Sequence, residues 1–309
     1  MPWKYTDEYY KNYTRDTWDE CAAEYLPILG NLMPFQRELL DHIRPTPGLR
    51  VLDVATGPGE PALTMGAMVS PGGSVLGIDL SSKMIQVAKK NASKRKLANV
   101  EFKIMDAEKM PLKTSTVDLA VSTFGFQIIT NPEKAAAEML RVLKPAGRIG
   151  LTVWSTGDRI PALHVMVEPM LEHAEPDETG YLPTPYELGG PGQLTSMIEE
   201  VGFAHAEEIR VQGEWRAPSE EAYLKMLVDG TPLGHSMKEE EPDIQRQILQ
   251  RTRANVSKWR LSTGEVRIPA ECVLVIGSKP TVKKAVPKKK TATGATRKLA
   301  SGKLRAKKR

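Results

Sequence analysis

Cysteine is nearly absent from this chain: its 309 residues include only Cys21 and Cys272. Two thiols so far apart exclude a disulfide framework and any cysteine-based zinc site, and they fit a reducing, cytoplasm-like compartment. Long apolar runs are missing as well. None approaches the roughly 18 residues that a membrane-spanning helix requires, and the N-terminal MPWKYTDEYYKNYTRD is charged and aromatic, unlike a secretion signal. A soluble, cytoplasmic protein is expected. Aromatic residues are sparse at 6%, but apolar residues make up 40%, enough for one large α/β domain with additions or for two small domains. Acidic residues vanish from Lys279 onward, where thirteen Lys and Arg accumulate. The net charge of +5 therefore hides a split, because the first 278 residues carry 30 basic against 38 acidic side chains, a net of −8.

Organisation follows from hydrophobic period. The first fifty residues read as helices, YTRDTWDECAAEYLPIL and then MPFQRELLDHIRPTPG, stopped by Pro45, Pro47 and Gly48. From Leu49 the pattern alternates. RVLDVA, SVLGIDL, VEFKIMD, VDLAVSTF and RIGLTVW read as five buried strands. Between them, SSKMIQVAKKNASKRK has Ser81 as N-cap, and NPEKAAAEMLRVLK has Asn131 as cap and Pro132 in the first turn. After Trp154 a Pro- and Gly-rich stretch contains one amphipathic segment carrying Leu163, Met166, Val167, Met170 and Leu171. A helix QLTSMIEEVG, a strand HAEEIRVQGEW, helical stretches at Glu220–Val228 and Glu239–Arg260, and a last strand ECVLVIG complete the pattern. The expected fold is α/β and doubly wound, with a mostly parallel seven-stranded sheet, helices on both faces and an N-terminal helical cap. The expected divisions are a cap at 1–48, a main domain at 49–278 with insertions near 155–192 and 214–267, and a basic tail at 279–309.

The chemistry centres on VLDVATGPGEPALTMG. Gly57 and Gly59, followed by Ala62, satisfy G-x-G-x-x-[GA], and Asp79 closes the second strand twenty residues beyond Gly59. A dinucleotide such as NAD(P) fits that spacing. S-adenosyl-L-methionine fits it with different polar partners. Asp53 in the loop approach would repel a pyrophosphate and welcome an ammonium or a sulfonium. Asp106 closes the third strand, where an adenine amino group could donate to it, and RVLKPAGRIGLTVW places a Lys-Pro-x-Gly turn before strand five.

Asp53-x-x-x-Gly57-x-Gly59, Asp79 after LGI, Asp106-Ala107 before Met110-Pro111, and MLRVLKPAGR together resemble the Rossmann-like class I S-adenosylmethionine-dependent methyltransferases. From Val51 to Trp154 the chain is similar to the ubiquinone/menaquinone-biosynthesis C-methyltransferases and related small-molecule enzymes. Ala55 departs from a common loop glycine, a change tolerated where φ stays negative. Beyond Trp154 the quinone-enzyme pattern is not present.

The resemblance implies S-adenosyl-L-methionine as cofactor, no metal, and a small-molecule acceptor. Gly57 and Gly59 would close over the methionyl part, with Ala55, Leu80 and Met84 nearby, and Asp53 would compensate the cationic end. Asp79 would accept from the ribose hydroxyls, Asp106 from the adenine amine, and Ala107 would add a backbone contact. Ser122, Thr123 and Phe124 stand at the edge of strand four where the methyl should emerge, and Trp18 and Tyr25, seven apart in one N-terminal helix, would cover the cofactor. Phe124 and Phe126 also read as same-face core residues of one strand. His164 is the least unlikely general base. Strand four is followed by STFGFQ and not by an Asn/Asp-Pro-Pro-aromatic loop, which argues against methylation of nucleobase amines. The two insertions, with Trp154, Met170, Tyr181, Tyr186 and Trp215, are expected to give an apolar substrate pocket. The alternative reading is action on a macromolecule through residues 279–309. That segment lacks aromatics and acids and is expected to be disordered, with non-specific nucleic acid as its first partner and an anionic membrane as its second.

Overall fold

The computed structural model describes residues 7–174 and 184–281. Tyr181 and nearly all of the basic tail lie outside them.

Two helices lead, α1 (Asp7–Cys21) and α2 (Leu26–Ile43). The break between them falls earlier than the sequence pattern indicates. Pro27 has no N–H to give a helix interior, so it occupies the first turn of α2, where no donor is needed. Tyr25 thereby becomes the residue capping α2 and does not share a helix with Trp18.

The strands are β1 (Arg50–Val54), β2 (Ser74–Asp79), β3 (Val100–Ile104), β4 (Val117–Thr123), β5 (Leu143–Trp154), β6 (Ala204–Ala217) and β7 (Val266–Ser278). They form one sheet in the order β3-β2-β1-β4-β5-β7-β6. β1 to β5 pair in parallel, and β7 runs antiparallel to both of its neighbours. The winding reverses between β1 and β4, and the carboxyl ends of strands at such a point open a crevice. Helices α3 (Ala62–Met68), α4 (Ser82–Arg95), α5 (Pro132–Val142), α6 (Pro161–Leu171) and α7 (Gln193–Val201) follow in chain order. Three more, α8 (Glu220–Gly230), α9 (Pro232–Lys238) and α10 (Pro242–Ser257), lie between β6 and β7.

Strand alternation divides the core. Val51, Leu119 and Val121 pack on one face with Leu39, Leu63 and Ile85, while Leu52, Val54 and Ala120 pack on the other with Met139 and Ile198. A third cluster joins α6, α8 and α10 to Phe124, Trp154 and Trp215. Ser81 caps α4 by accepting from the Met84 amide at 3.0 Å, as its position implies. Asn131 precedes α5 but makes no capping bond, because its side chain donates to Asp7 and Glu108 instead. Lys279, counted with the tail by charge, is bound to the sheet: its amide donates to the Gly147 carbonyl and its ammonium to that of Leu143. No helix among the described residues is long and apolar enough to cross a membrane.

Candidate functional site

A cleft of about 920 Å³, counted to its open mouth, lies over the carboxyl ends of β1, β2 and β4 beneath α1 and α2. The glycine loop forms its floor. Ala55, Gly57 and Gly59 all have positive φ, at 56°, 53° and 110°. A negative φ was expected at Ala55, and the tight reversal after β1 overrides that. Gly57 faces open space, since an added Cβ would meet nothing within 4 Å. Gly59 does not line the cleft: a Cβ there would press within 3.0 Å of Leu63 and 3.1 Å of Phe102, so its bareness serves the packing of α3 on β3.

Three carboxylates were expected around this loop, and they differ in kind. Asp79 lines the cleft. Its Oδ2 accepts from the Gly57 amide and its Oδ1 from the Ser81 amide, each at 2.9 Å, and burial pushes its carboxyl up to about 6. Asp53 lies beneath the loop, fully buried. Its Oδ2 accepts from Thr56 Oγ1 at 2.6 Å, its Oδ1 is buried without a partner among the described residues, and burial pushes it up to about 7. Desolvation is the dominant cause in both cases and outweighs the hydrogen bonds that each carboxylate accepts. Asp106 lines the cleft at the end of β3, where Lys11 of α1 donates to its Oδ2 at 2.9 Å and reaches Glu108 at 2.8 Å.

Ala107, Leu80, Met84, Thr123, Phe124, Trp18 and Tyr25 also line the cleft, the last two rings meeting edge to face at 5.4 Å. Ser122 does not; it is fully buried on the other side of the strand. Phe124 takes a left-handed conformation, φ 57°, immediately after β4 ends. That turn sends Phe124 to stack on Trp154 at 4.0 Å while Phe126 joins the opposite core, so the two are not same-face residues of one strand. His164 lies away from the cleft, 6.0 Å from the Tyr186 ring, with Nδ1 buried and unpartnered among the described residues. Trp154, Tyr186 and Trp215 are packed in the third core cluster, and no described residue of either insertion lines the cleft. The apolar wall comes instead from Leu29 and Leu32 of α2 and from Ile128.

Several lining residues escaped the sequence reading. Lys11, Thr14 and Arg15 share the cleft-facing side of α1 with Trp18, a spacing of i, i+3, i+4 and i+7 that was available in principle. Gln36 interrupts the apolar stripe of α2 and is 5% exposed. Glu60 is equally buried, held by the Thr64 hydroxyl at 2.8 Å and paired with Arg95.

Chemically, the site offers paired backbone amides holding a carboxylate at the β2 end, a carboxylate at the β3 end, a bare loop with an uncompensated acid beneath it, and an apolar wall opposite. A ribose, an amine-bearing base and a positively charged group match the first three features in turn; a pyrophosphate does not match the third.

Comparison with known proteins agrees with that match. Residues 45–202 match a family model described as a methyltransferase domain. Nocamycin O-methyltransferase of Saccharothrix syringae is 30% identical over 201 residues, covering 62% of this chain and 72% of that protein. The ubiquinone/menaquinone biosynthesis C-methyltransferase UbiE of Idiomarina loihiensis is 32% identical over 146 residues, or 45% of this chain and 58% of that one. Among solved structures, phosphoethanolamine N-methyltransferase 2 of Haemonchus contortus in complex with S-adenosyl-L-methionine shares the fold, with a TM-score of 0.55 at 19% identity over 86% of this chain and 60% of that chain.

Proposed function

Because the chain belongs to the methyltransferase domain family and uses S-adenosyl-L-methionine as cofactor, we propose that the cleft under α1 and α2 is its cofactor and acceptor site, and that the acceptor is a small, partly apolar molecule. The observation that carries this reading is the division of the cleft lining. Carboxylates stand at the β2 and β3 ends, and Trp18, Tyr25, Leu29, Leu32, Phe124 and Ile128 supply apolar surface to the same lining. The dinucleotide alternative gives way to the family match.

Bound there, the cofactor supplies a methyl group already activated on a positively charged sulfur, so the chain needs chiefly to hold, orient and exclude water. Asp79 is fixed by two amides and keeps its outward lone pairs for ribose hydroxyls. Asp106 and Ala107 take the base, the bare face of Gly57 the methionyl part, and the buried Asp53 the positive charge. Trp18 and Tyr25 shield the cleft from water. No histidine among the described residues lines it.

Calorimetry tests the cofactor half. Asp79→Ala removes a partner worth on the order of 1–3 kcal/mol and should weaken S-adenosyl-L-methionine binding roughly tenfold to a hundredfold. Unchanged affinity in that variant would place the cofactor elsewhere. A second reading, contact with a polyanion through the basic residues beyond Lys279, rests on their charge alone.

A further inference from the structure

Gln36 is a residue of the cleft lining whose amide is anchored through its nitrogen and open at its oxygen. It stands on α2 among Leu32, Phe35, Leu39 and Leu40, all of which turn into the core. Its Nε2 donates to the backbone carbonyl of Glu60 and to Thr123 Oγ1, each at 3.3 Å. A carbonyl can only accept, so the Glu60 contact fixes which way the amide is turned. Its Oε1 accepts no hydrogen bond among the described residues, although the residue lines the cleft at 5% exposure. That oxygen is not sealed in the core but opens onto the cleft, where a donor on a bound molecule can reach it.

The two anchors also fix where that oxygen sits. Glu60 belongs to the glycine loop and Thr123 ends β4, so Gln36 spans the gap between the loop and the strand end. The surrounding wall is Tyr25, Leu29, Leu32 and Phe124, with no cationic side chain among them. Burial pushes the Tyr25 hydroxyl well above its ordinary range, so it stays neutral. We infer that Gln36 is a positioning and specificity residue for the acceptor: its Oε1 accepts a hydrogen bond from a neutral hydroxyl or amine on an otherwise apolar ring or chain. An amide cannot take the proton, so Gln36 aims the donor without acting as a base. This assigns a neutral O–H or N–H donor to the acceptor molecule, in preference to an anion, and rests on the cleft being the methyl-transfer site as proposed above.

Phenol and toluene make a suitable probe pair, equal in shape and differing in one donor. Their affinities are measured for the full chain saturated with S-adenosylhomocysteine, in the wild type and in Gln36→Met, with cofactor affinity followed separately by calorimetry. The expected result is a roughly tenfold fall in the phenol-to-toluene affinity ratio on substitution, the loss of about one hydrogen bond. Gln36→Glu keeps an acceptor oxygen but has no N–H for the Glu60 carbonyl, so it should not restore the ratio. In the wild type alone, so that no variant need fold, phenol and not toluene should shift the ¹⁵N signal of the Gln36 side-chain amide. A ratio unchanged within twofold, an amide signal indifferent to phenol, or no phenol binding at all would overturn the inference. Failure of the wild type to bind S-adenosyl-L-methionine would be seen independently, and would remove the underlying reading along with it.

Discussion

Asp19 of α1 accepts the Ser81 hydroxyl at 2.5 Å, and the amide of the same serine donates to Asp79 at 2.9 Å. The covering helix is thus coupled to the carboxylate assigned to the ribose. Asp19 adds contacts to the Ser82 hydroxyl and the Lys83 amide at the start of α4, where a negative charge is favoured by the exposed N–H groups. Only Thr17 and Cys21 of α1 are buried, so polar bonds rather than apolar burial hold the helix down.

Asp19→Ala should therefore loosen α1 without unfolding the sheet. About 1 kcal/mol of lost bonding corresponds to roughly a fivefold weaker affinity for S-adenosyl-L-methionine. Hydrogen exchange should quicken across α1 and stay unchanged in β1 and β4. Equal exchange in variant and wild type would show that the helix is held by other means.

Ala55 pays for its side chain with a left-handed backbone at φ 56°. Ala55→Gly should raise stability by roughly 1 kcal/mol, since left-handed geometry is unfavourable for a residue with a Cβ and free for glycine. Thermal unfolding with and without cofactor checks this; a fall in melting temperature would mean that the methyl group packs better than its backbone is strained.

The raised carboxyls of Asp53 and Asp79, near 7 and 6 against an ordinary 3.8, give a pH dependence of definite sign. The folded chain holds protons there that the unfolded chain has released, so stability falls as pH rises from about 4 through about 7. The cofactor-free protein should melt at a higher temperature at pH 5 than at pH 8, and Asp53→Asn should shrink that difference. A cationic ligand favours the ionised acid, so S-adenosyl-L-methionine should bind more tightly at pH 8 than at pH 6 and release protons on binding. An Asp53→Asn variant with the full wild-type pH slope would contradict this.

For the tail, affinity for duplex DNA should fall about 10³–10⁵-fold between about 50 and 200 mM salt if six to ten phosphates are neutralised, independent of sequence. Truncation after Thr281, which spares the sheet contacts of Lys279, should abolish it. A preference for anionic vesicles over DNA at equal salt would reassign the partner.

The parallel core of the fold was legible because the strands from RVLDVA to RIGLTVW are apolar runs bounded by turns, buried on both faces in β1 and β4 but only at Phe102 in the edge strand β3. Asp79 and Asp106 were legible because they end such runs. Other features depended on three-dimensional context. The helix α9 hides in TPLGHSM, where Pro232 and Gly234 read as loop, and the first half of β7 is masked by Pro269. The departure of Phe124 from the strand rests on one dihedral angle, which no hydrophobic period reports. Gln36 and Lys11 were overlooked because a polar residue on a helix reads as surface until its neighbours across the cleft are known. The apolar insertions drew attention as a substrate wall, yet Tyr186 and Trp215 are consumed in the core cluster with Trp154.

Ala217 and Val266 face each other as the last pair of the β6–β7 ladder, and everything between them, α8 to α10, departs from and returns to one rung. Strand partners stand only about 5 Å apart, so the sheet has no means of sensing how much polypeptide lies beyond that rung. Lengthening the connections within the excursion adds only a slowly growing loop-closure entropy, whereas its helices supply Tyr223, Leu224 and Ile248 to the core cluster that holds Trp154 and Trp215. The excursion nonetheless reaches the cleft's roof, because α9 meets α1 through Tyr13 with Ser236 at 3.1 Å and through Glu20 with His235 at 2.8 Å, so a change made beyond that one rung is transmitted to the helix that covers the site.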